Sequence, residues 1–432
     1  MVSAFRYLLL VIGGFTAGVV LAAPSEETYV DAIGFGGGSL SDADVTAVAV
    51  GAVAAVLVAM LCRRRRQVVT VLLLGCVLTG VVALPGAWSH DIHFATIGAG
   101  LLLGGLSVLC LGPQRLQRQT ALSGAVVAGL CTAVPIAEYR EFAAAVPGRY
   151  AEYVAVSEQP ANPVWLWAAV LVVAALVAAS VSGALDPAGD AVARWDIREP
   201  VVGAVLSVVA VVLYWSLDRA LYSSTNDAGG GRWWFGVVVV PVVIVAALWL
   251  RQRTGMVLLA GAALFVSLRD AEKWVPAVWP MLLVPVVLVA FGTWLARRRP
   301  IPLAGIALLA LCAASAVFEH SPWDTVHMAA MLFGVPFAAA YTIVAALPST
   351  APVTATSLAL PAVMSLPLMV EFGWTSYTPL TDDTGWTAYS SAPSGPSAWT
   401  VLSVSVSVVS LLACGAAMAW LQHRRSGGGV AP

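Results

Sequence analysis

The chain contains 432 residues, of which 60% are hydrophobic and only 10% are charged, and its formal net charge is -1. Soluble domains carry about 25% charged residues, so an apolar excess of this size excludes a soluble globular protein. The near-neutral charge argues against nucleic acid as a partner, because a phosphate-binding surface needs clustered surplus cation. Membrane lipid is therefore the solvent and the partner that this composition predicts.

Apolar runs long enough to cross a bilayer recur along the whole chain. A hydrocarbon core of about 30 Å requires roughly 20 apolar residues in a helix, with about 17 as the lower limit. The sequence therefore predicts an all-α fold, a polytopic transmembrane helical bundle of about 14 spans. These spans are 5–23, 45–62, 67–85, 94–112, 120–136, 164–182, 201–221, 234–250, 254–268, 278–296, 301–318, 327–347, 353–370 and 399–421.

The first span has an alternative interpretation. Arg6 precedes an apolar run that ends in Val20-Leu21-Ala22, an arrangement that resembles a signal peptide with a small-residue cleavage site. Pro24 disfavours cleavage there, and we interpret the segment as a retained helix. Cleavage would leave thirteen spans and an external N-terminus.

The ninth span is the shortest. It lies between Arg253 and Arg269, which leaves fewer apolar residues than a full bilayer crossing requires. The segment is therefore either a short span in a locally thinned bilayer or a half-helix.

The distribution of basic residues predicts the orientation in the membrane. Alternation of the spans from a cytoplasmic N-terminus places sixteen of the 22 basic residues inside. Such a surplus is the recognised orientation signal, so both termini are predicted to be cytoplasmic in a plasma membrane protein. The inner residues are Arg6, Arg63 to Arg66, Arg115, Arg118, Arg194, Arg198, Arg251, Arg253, Arg297 to Arg299, Arg424 and Arg425.

The loops suggest a division into two membrane halves. Residues 1–182 form an N-terminal half of about six spans, 183–200 a cytoplasmic connecting loop, and 201–432 a C-terminal half of about eight spans. Aromatic residues at helical spacing predict an amphipathic helix on the outer leaflet within 137–163. The outer loop 371–399 is rich in Ser, Thr, Pro and aromatic residues, and it is left unassigned. The sequence contains no convincing internal repeat.

Prolines and paired glycines occur inside several spans. Gly14-x3-Gly18 and Gly100-x3-Gly104 permit close helix approach, and prolines persist in lipid where neighbours satisfy the freed carbonyl groups. We interpret both features as packing, with substrate gating as the alternative. The intramembrane prolines are Pro135, Pro241, Pro285, Pro336, Pro361 and Pro367.

Two outer loops contain four of the five histidines. Imidazoles three residues apart share a helical face, and a nearby carboxylate can orient one ring or join it as a ligand. If the two loops met, they would form a site for zinc or another divalent ion; otherwise these histidines simply lie at the water boundary. The candidate ligands are His90, Asp91, His93, His320, Asp324 and His327.

Glu26 and Glu27 follow the first span, in an outer loop. An enzyme that transfers a sugar from a lipid-linked donor needs an external carboxylate as base or metal ligand. This placement resembles the multi-pass glycosyltransferases of the GT-C type, which also have an acidic motif in their first outer loop. The resemblance implies a catalytic role for Glu26 and Glu27, although the loop is shorter than the family's helical insertion. Solvated surface acids are the alternative interpretation.

No Walker A loop, HExxH, GxSxG or strand-associated GxGxxG sequence is present, and no cofactor is identified. Many spans, proline-containing helices and the lack of a soluble catalytic domain favour a transporter or flippase-like carrier of a hydrophobic or lipid-linked solute. The alternatives are an outer-surface enzyme acting on a lipid-linked substrate, GT-C-like or metal-dependent, and a non-catalytic envelope scaffold subunit.

Overall fold

The computed structural model describes eleven segments of the chain. They are residues 2–22, 44–81, 91–111, 114–144, 163–185, 196–223, 234–250, 253–271, 280–318, 323–359 and 398–427. Within these segments the chain consists of helices and the turns between them.

Fourteen helices form in these described segments, and each overlaps one predicted span in chain order. The predicted all-α fold is thereby confirmed. The helices are α1 (Val2–Ala22), α2 (Asp44–Leu61), α3 (Arg65–Val81), α4 (Asp91–Leu109), α5 (Arg115–Ala144), α6 (Pro163–Val181), α7 (Arg198–Ser223), α8 (Trp234–Trp249), α9 (Arg253–Ala271), α10 (Leu283–Arg298), α11 (Pro302–Ala314), α12 (Asp324–Ala346), α13 (351–359) and α14 (Ala398–Gly427).

The helices have the character of membrane spans. In the described segments, α1, α12 and α14 each contain a stretch of at least 18 residues apolar enough to cross a bilayer, and six further helices are apolar but shorter. Large apolar side chains also lie on the outside of the bundle, such as Val208 (60% exposed), Val245 (68%) and Val287 (64%). Such a surface is stable in contact with lipid chains, and the protein is a multi-pass membrane protein.

Two helices differ from the predicted spans in length. The ninth span is neither a half-helix nor truncated, because α9 runs for 19 residues and is buried from Thr254 to Ser267. Its neighbours, rather than lipid, surround it, which explains why the short apolar run suffices. Helix α5 continues to Ala144, so the first residues of the predicted amphipathic segment 137–163 extend a transmembrane helix. Residues 145–162 lie outside the described residues, and the surface helix remains a prediction.

The first helix is an integral part of the bundle. Helix α1 packs most extensively against α5 and also contacts α4 and α6. Its residues Leu9, Leu10 and Ala17 are completely buried. Removal of this segment as a signal peptide would expose the face of α5 that α1 covers.

The helix contacts repeat with an offset of eight helices. In the first bundle, α4 contacts α1, α2 and α3, and α6 contacts α1 and α3. In the last bundle, α12 contacts α9, α10 and α11, and α14 contacts α9 and α11. Helices α1–α6 and α9–α14 therefore form two bundles with the same internal arrangement. Helices α7 and α8 lie between them in the chain, with α7 packed against α2 and α8 against α9 and α14.

Glycine allows the closest helix pairs to form. A Cβ atom at Gly104 of α4 would lie 2.5 Å from the carbonyl oxygen of Ala55 on α2, and one at Gly100 would collide with the backbone of Gly51. The Gly100-x3-Gly104 prediction of close approach is thus confirmed, and Gly18 in the other motif meets the Val126 carbonyl of α5 in the same way.

All the predicted inner ends of the helices meet at one end of the bundle. Arg65 Nη2 donates to the Ser180 carbonyl at 3.1 Å, Arg198 Nη1 donates to the Trp249 carbonyl at 3.3 Å, and Arg6 bonds the Ala184 carbonyl. We call this end the arginine face, formed by Arg6, 62–65, 109–111, 114–119, 180–185, 196–199, 249–250, Arg253, 297–302, 346–350 and 420–424. Each described helix contributes its predicted inner end to this face, so the structure agrees with the predicted alternation of spans. The side of the membrane on which the arginine face lies remains a prediction. The division at 182 and 200 also remains a prediction.

Candidate functional site

A cavity of about 640 Å³ opens at the arginine face. Three helices that line it begin there (α5, α9 and α11) and three end there (α10, α12 and α14). Its lining belongs to the α9–α14 bundle except for Leu116, which α5 of the first bundle contributes. Its lining is mainly apolar, with polar atoms supplied by two arginines and a glutamine. The lining residues are Leu116, Arg253, Met256, Ala296, Arg297, Pro300, Pro302, Val344, Ala345, Ala346, Leu347 and Gln422.

The two arginines are held differently. Arg253 Nη1 donates a hydrogen bond of 3.1 Å to the Leu347 carbonyl, one of the last carbonyl groups of α12, which no helical N–H satisfies. Arg297 belongs to the last turn of α10 and is exposed. One guanidinium is therefore fixed against the wall while the other remains accessible from water.

A polar contact joins the two bundles beside this cavity. Gln119 of α5 donates its Nε2 to the Ser349 carbonyl at 2.7 Å and accepts the Ser349 N–H through Oε1 at 2.9 Å. Both residues are buried. Ser349 is in turn bonded to Thr354 through their hydroxyl groups, which ties the contact to the first turn of α13. This two-point hydrogen bond between a side chain and a backbone closes the arginine face between the bundles.

One turn further into the membrane, the bundles meet through small residues. A Cβ at Gly124 of α5 would lie 3.0 Å from the Thr293 hydroxyl of α10. The hydroxyl oxygens of Thr293 and of the adjacent Ser123 are buried and have no hydrogen-bond partner among the described residues. Buried hydroxyls without partners weaken an interface, because each has lost its hydration without replacement. The α5–α10 contact is therefore a comparatively weak junction.

Two opposite charges, Arg115 at the start of α5 and Glu199 at the start of α7, interact nearby. Arg115 precedes the fifth membrane span, and burial lowers the pKa of its guanidinium, an effect that the nearby carboxylate of Glu199 opposes. Glu199, in the first turn of α7, is only 8% exposed. Among the described residues, the buried Arg115 Nε atom has no hydrogen-bond partner, and the Glu199 carboxylate opposes the desolvation of this guanidinium. This pair links α5 to α7, the first helix after the N-terminal bundle.

The histidine candidates are described only in part. His327 lies in the first turns of α12, is 2% exposed, and its Nδ1 lies 3.0 Å from the Ser315 hydroxyl at the end of α11. Asp324 is exposed and caps its own neighbour, accepting the Thr325 N–H at 2.9 Å. Both therefore have structural roles at a helix start. No group of three or more potential metal ligands forms within the described segments.

The other predicted site residues form no shared site within the described part of the chain. His93 is half-buried in α4, where its carbonyl accepts the Thr96 hydroxyl, and Asp91 begins that helix. His90, His320, Glu26 and Glu27 lie outside the described residues. The metal site and the catalytic carboxylates therefore remain predictions.

Helix α12 is irregular next to its proline. A π-helical turn at Ala330–Gly334 precedes Pro336, which the π turn accommodates by shifting the hydrogen-bond pattern. Pro135 and Pro241 lie inside α5 and α8 without ending either helix, whereas Pro361 and Pro367 are outside the described residues. The α12 irregularity lies near the middle of the helix, away from the last residues of α12, which line the cavity.

Sequence reasoning did not identify the cavity or the contact between the bundles. Gln119 appears in the sequence as one polar residue in a short basic loop region, and its partner is 230 positions away. The sequence marks Arg253 and Arg297 only as orientation signals on the inner side. The sequence feature that could have indicated this contact is a glutamine at the edge of an otherwise apolar span.

No family model matches the chain, and no curated protein matches it significantly. Among solved structures, it is similar to the inward-open xylose transporter XylE from E. coli, with 16% identity, 95% of each chain covered and a TM-score of 0.47. It is also similar to an auto-inhibited POT family peptide transporter, with 14% identity, 97% of each chain covered and a TM-score of 0.48. At these values the functional argument rests on the residues of this chain.

Proposed function

We propose that this protein is a carrier of the plasma membrane that moves a hydrophobic or lipid-linked solute between the leaflets or across the bilayer. The observation that carries the proposal is the repeated arrangement of α1–α6 and α9–α14. Carriers built from repeated bundles expose a site at the repeat interface to one side and then the other by rocking of one bundle against its counterpart.

The interface between the bundles supports such a movement. At the arginine face it is closed by the Gln119–Ser349 hydrogen bonds, and further in by the α5–α10 contact with its unpartnered hydroxyls. Two neutral hydrogen bonds contribute about 0.5–1.5 kcal/mol each, so thermal energy is sufficient to open this closure.

The polarity of the spans supports the proposed class of solute. Among the described residues, the buried polar groups well inside the spans are mainly hydroxyls, and those of Thr132 and Ser207 bond to backbone carbonyls of their own helices. The buried charged or ionisable Glu199 and His327 lie at helix ends. A pathway of this polarity suits a solute that is apolar where it lies within the membrane. A permanently charged group at that depth would find no compensating side chains.

Transport by purified protein in lipid vesicles tests the proposal. Fluorescent polyprenyl phosphate, a polyprenyl-diphosphate sugar and an uncharged lipophile are added to separate vesicles, and a membrane-impermeant quencher reports movement between leaflets. We expect protein-dependent movement of at least one of them. If none moves faster than in protein-free vesicles, the solute class is wrong.

A cross-link tests the mechanism independently. In a Gln119→Cys, Ser349→Cys variant, a short reducible thiol cross-linker should stop movement, and reduction should restore it. The single variants treated in the same way serve as controls. Movement that continues at the original rate in the cross-linked protein would contradict rocking of the bundles, even where the solute assay succeeds.

A further inference from the structure

The cavity at the arginine face has the chemistry of an anion site. Its described lining contains two arginines and a glutamine but no carboxylate. Helix dipoles do not decide its charge, because three of its helices begin there and three end there, and their terminal partial charges offset one another. The positive charge of Arg253 and Arg297 therefore dominates the cavity.

The two guanidinium groups are suited to a phosphate. Planar guanidinium groups bind phosphate oxygens through paired N–H donors more effectively than lysine does. The hydrogen bond to Leu347 orients Arg253 at the cavity wall, so its position is set before a ligand binds. Gln422, at the end of α14, adds an amide donor beside them.

The remainder of the lining indicates that the ligand is amphiphilic. Met256 and Ala296 are buried, and together with Leu116 they present hydrocarbon to the cavity rather than water-binding groups. A volume of about 640 Å³ is within the range of small-molecule sites and exceeds what a single phosphate ion fills. A charged group and the first part of an apolar chain fit such a lining together.

Neighbouring residues place the cavity at the level of lipid headgroups. Arg298 lies over the ring of Trp294, with its Cζ atom 4.3 Å from the centroid, and Arg424 lies over Trp420 at 3.7 Å. Trp294 is 46% exposed and Trp420 is 41% exposed. Exposed tryptophans paired with arginines are typical of the membrane interface, where the ring faces the chains and the cation faces the headgroups.

We propose that this cavity binds the phosphate headgroup of an anionic phospholipid from the leaflet at the arginine face. Arg253 and Arg297 bind the phosphate oxygens, and Gln422 donates to the headgroup. The acyl chains leave the cavity along the apolar surface of the adjoining helices. This site is independent of the proposed transport activity, since a bound lipid can stabilise the closed arginine face whether or not it is carried.

Binding of short-chain phosphatidylglycerol to the full-length protein in a zwitterionic detergent tests the proposal. Short-chain phosphatidylcholine and inorganic phosphate are the comparison ligands. We expect saturable binding of phosphatidylglycerol, at least about tenfold weaker in the Arg297→Gln variant, because one charge-assisted interaction is lost. Binding of inorganic phosphate with equal affinity would overturn the lipid assignment, as would equal binding of phosphatidylcholine.

Arg298→Gln provides the matched control. Arg298 is the next residue in the same helical turn, and it carries the same charge, but it lies over Trp294 and not in the cavity lining. We expect its loss to leave affinity within about twofold of the unmodified protein, because a surface charge contributes little at physiological salt. Equal loss of affinity in the two variants would show diffuse attraction to the whole face and overturn the proposal.

A second variant reduces the positive charge of the cavity without removing an arginine. Gln422→Glu introduces a carboxylate of nearly the same shape into the lining, so it should weaken phosphatidylglycerol binding by about tenfold at neutral pH while leaving the melting temperature in detergent unchanged. Unchanged binding in a folded Gln422→Glu protein would place the lipid elsewhere and contradict the proposal.

Discussion

Arg115 carries a desolvated charge at the arginine face, and its Nε atom has no hydrogen-bond partner among the described residues. Glu199 supplies the compensating negative charge from α7. Removing one member of a buried pair is more damaging than the pair is stabilising, because the other charge remains without compensation.

Replacement of Glu199 by glutamine should therefore destabilise the protein. We expect a loss of roughly 1–3 kcal/mol, less than for a fully buried pair because Arg115 retains some contact with solvent. The measurement is the thermal unfolding midpoint in detergent at neutral pH.

Asp196→Asn is the control for this experiment. Asp196 pairs with Arg198 at 3.8 Å, with side chains 19% and 44% exposed, respectively, and exposed pairs contribute little. Its replacement should change the free energy of unfolding by less than about 0.5 kcal/mol. A Glu199→Gln protein as stable as the Asp196→Asn protein would show that Arg115 does not depend on Glu199.

At the scale of helices, the spacing between axes depends on residues without side chains. Gly100 allows α4 to lie against the backbone of α2, and Gly261 and Gly292 allow the same for the α9–α13 and α10–α12 pairs. Lipid gives no hydrophobic drive for helices to associate, so these close van der Waals contacts supply much of the association energy. Only Gly14, Gly18, Gly100 and Gly104 stood in a recognisable motif; the others became evident from their contacts.

Gly100→Ala should separate α4 from α2. The added methyl group meets the backbone of Gly51, which cannot rotate away, so we expect destabilisation of roughly 1–3 kcal/mol. Gly80→Ala is the matched control, because its Cβ would lie 3.4 Å from the Ala169 methyl group, an ordinary contact. Thermal unfolding and the monodisperse fraction in detergent measure both variants; similar values for the two would contradict a close α2–α4 contact.

On the scale of the whole molecule, the two bundles meet at the arginine face through few polar contacts. Gln119 makes two hydrogen bonds to Ser349 across this boundary. The nearby Gln117, which accepts the Tyr7 hydroxyl at 3.0 Å, stays within the N-terminal bundle and is exposed. The two glutamines therefore differ in whether they connect the bundles.

Gln119→Leu should favour opening of the arginine face. The loss of two hydrogen bonds leaves the Ser349 backbone groups unpaired, and we expect roughly fivefold or faster labelling of a Thr350→Cys reporter by a water-soluble maleimide. Gln117→Leu in the same reporter background should leave the labelling rate unchanged. Equal rates in the two variants would indicate that Gln119 does not hold the bundles together.

The orientation of the whole molecule is a separate prediction. We expect Arg66→Cys and Arg299→Cys to react with an impermeant maleimide only in opened cells, and Ser39→Cys to react in intact cells, because the basic loops face the cytoplasm. The half-buried Cys62 is replaced by serine in all three to remove background reaction. Reaction of the Arg66→Cys or the Arg299→Cys variant from outside would reverse the assignment of the arginine face to the cytoplasm.

Different parts of the candidate site were predictable to different degrees. Arg253 and Arg297 were correctly placed at one membrane boundary, since charge at a span end is visible in the sequence itself. Their convergence on one cavity could not be predicted from the sequence, because it depends on contacts between α9, α10 and α12. His327 was singled out for its chemistry, but the sequence did not show that Ser315, on the preceding helix end, lies next to its ring.

The sequence by itself determined the all-α fold, the number and order of the helices, and the alternation of their ends, because the free energy of a segment in lipid depends mainly on its own side chains. The tertiary structure alone decided which helices pair, that α1–α6 and α9–α14 share one arrangement, and that Gln119 contacts Ser349. Such contacts depend on complementary shapes and hydrogen bonds between segments up to 230 positions apart, for which no single stretch of sequence carries the information.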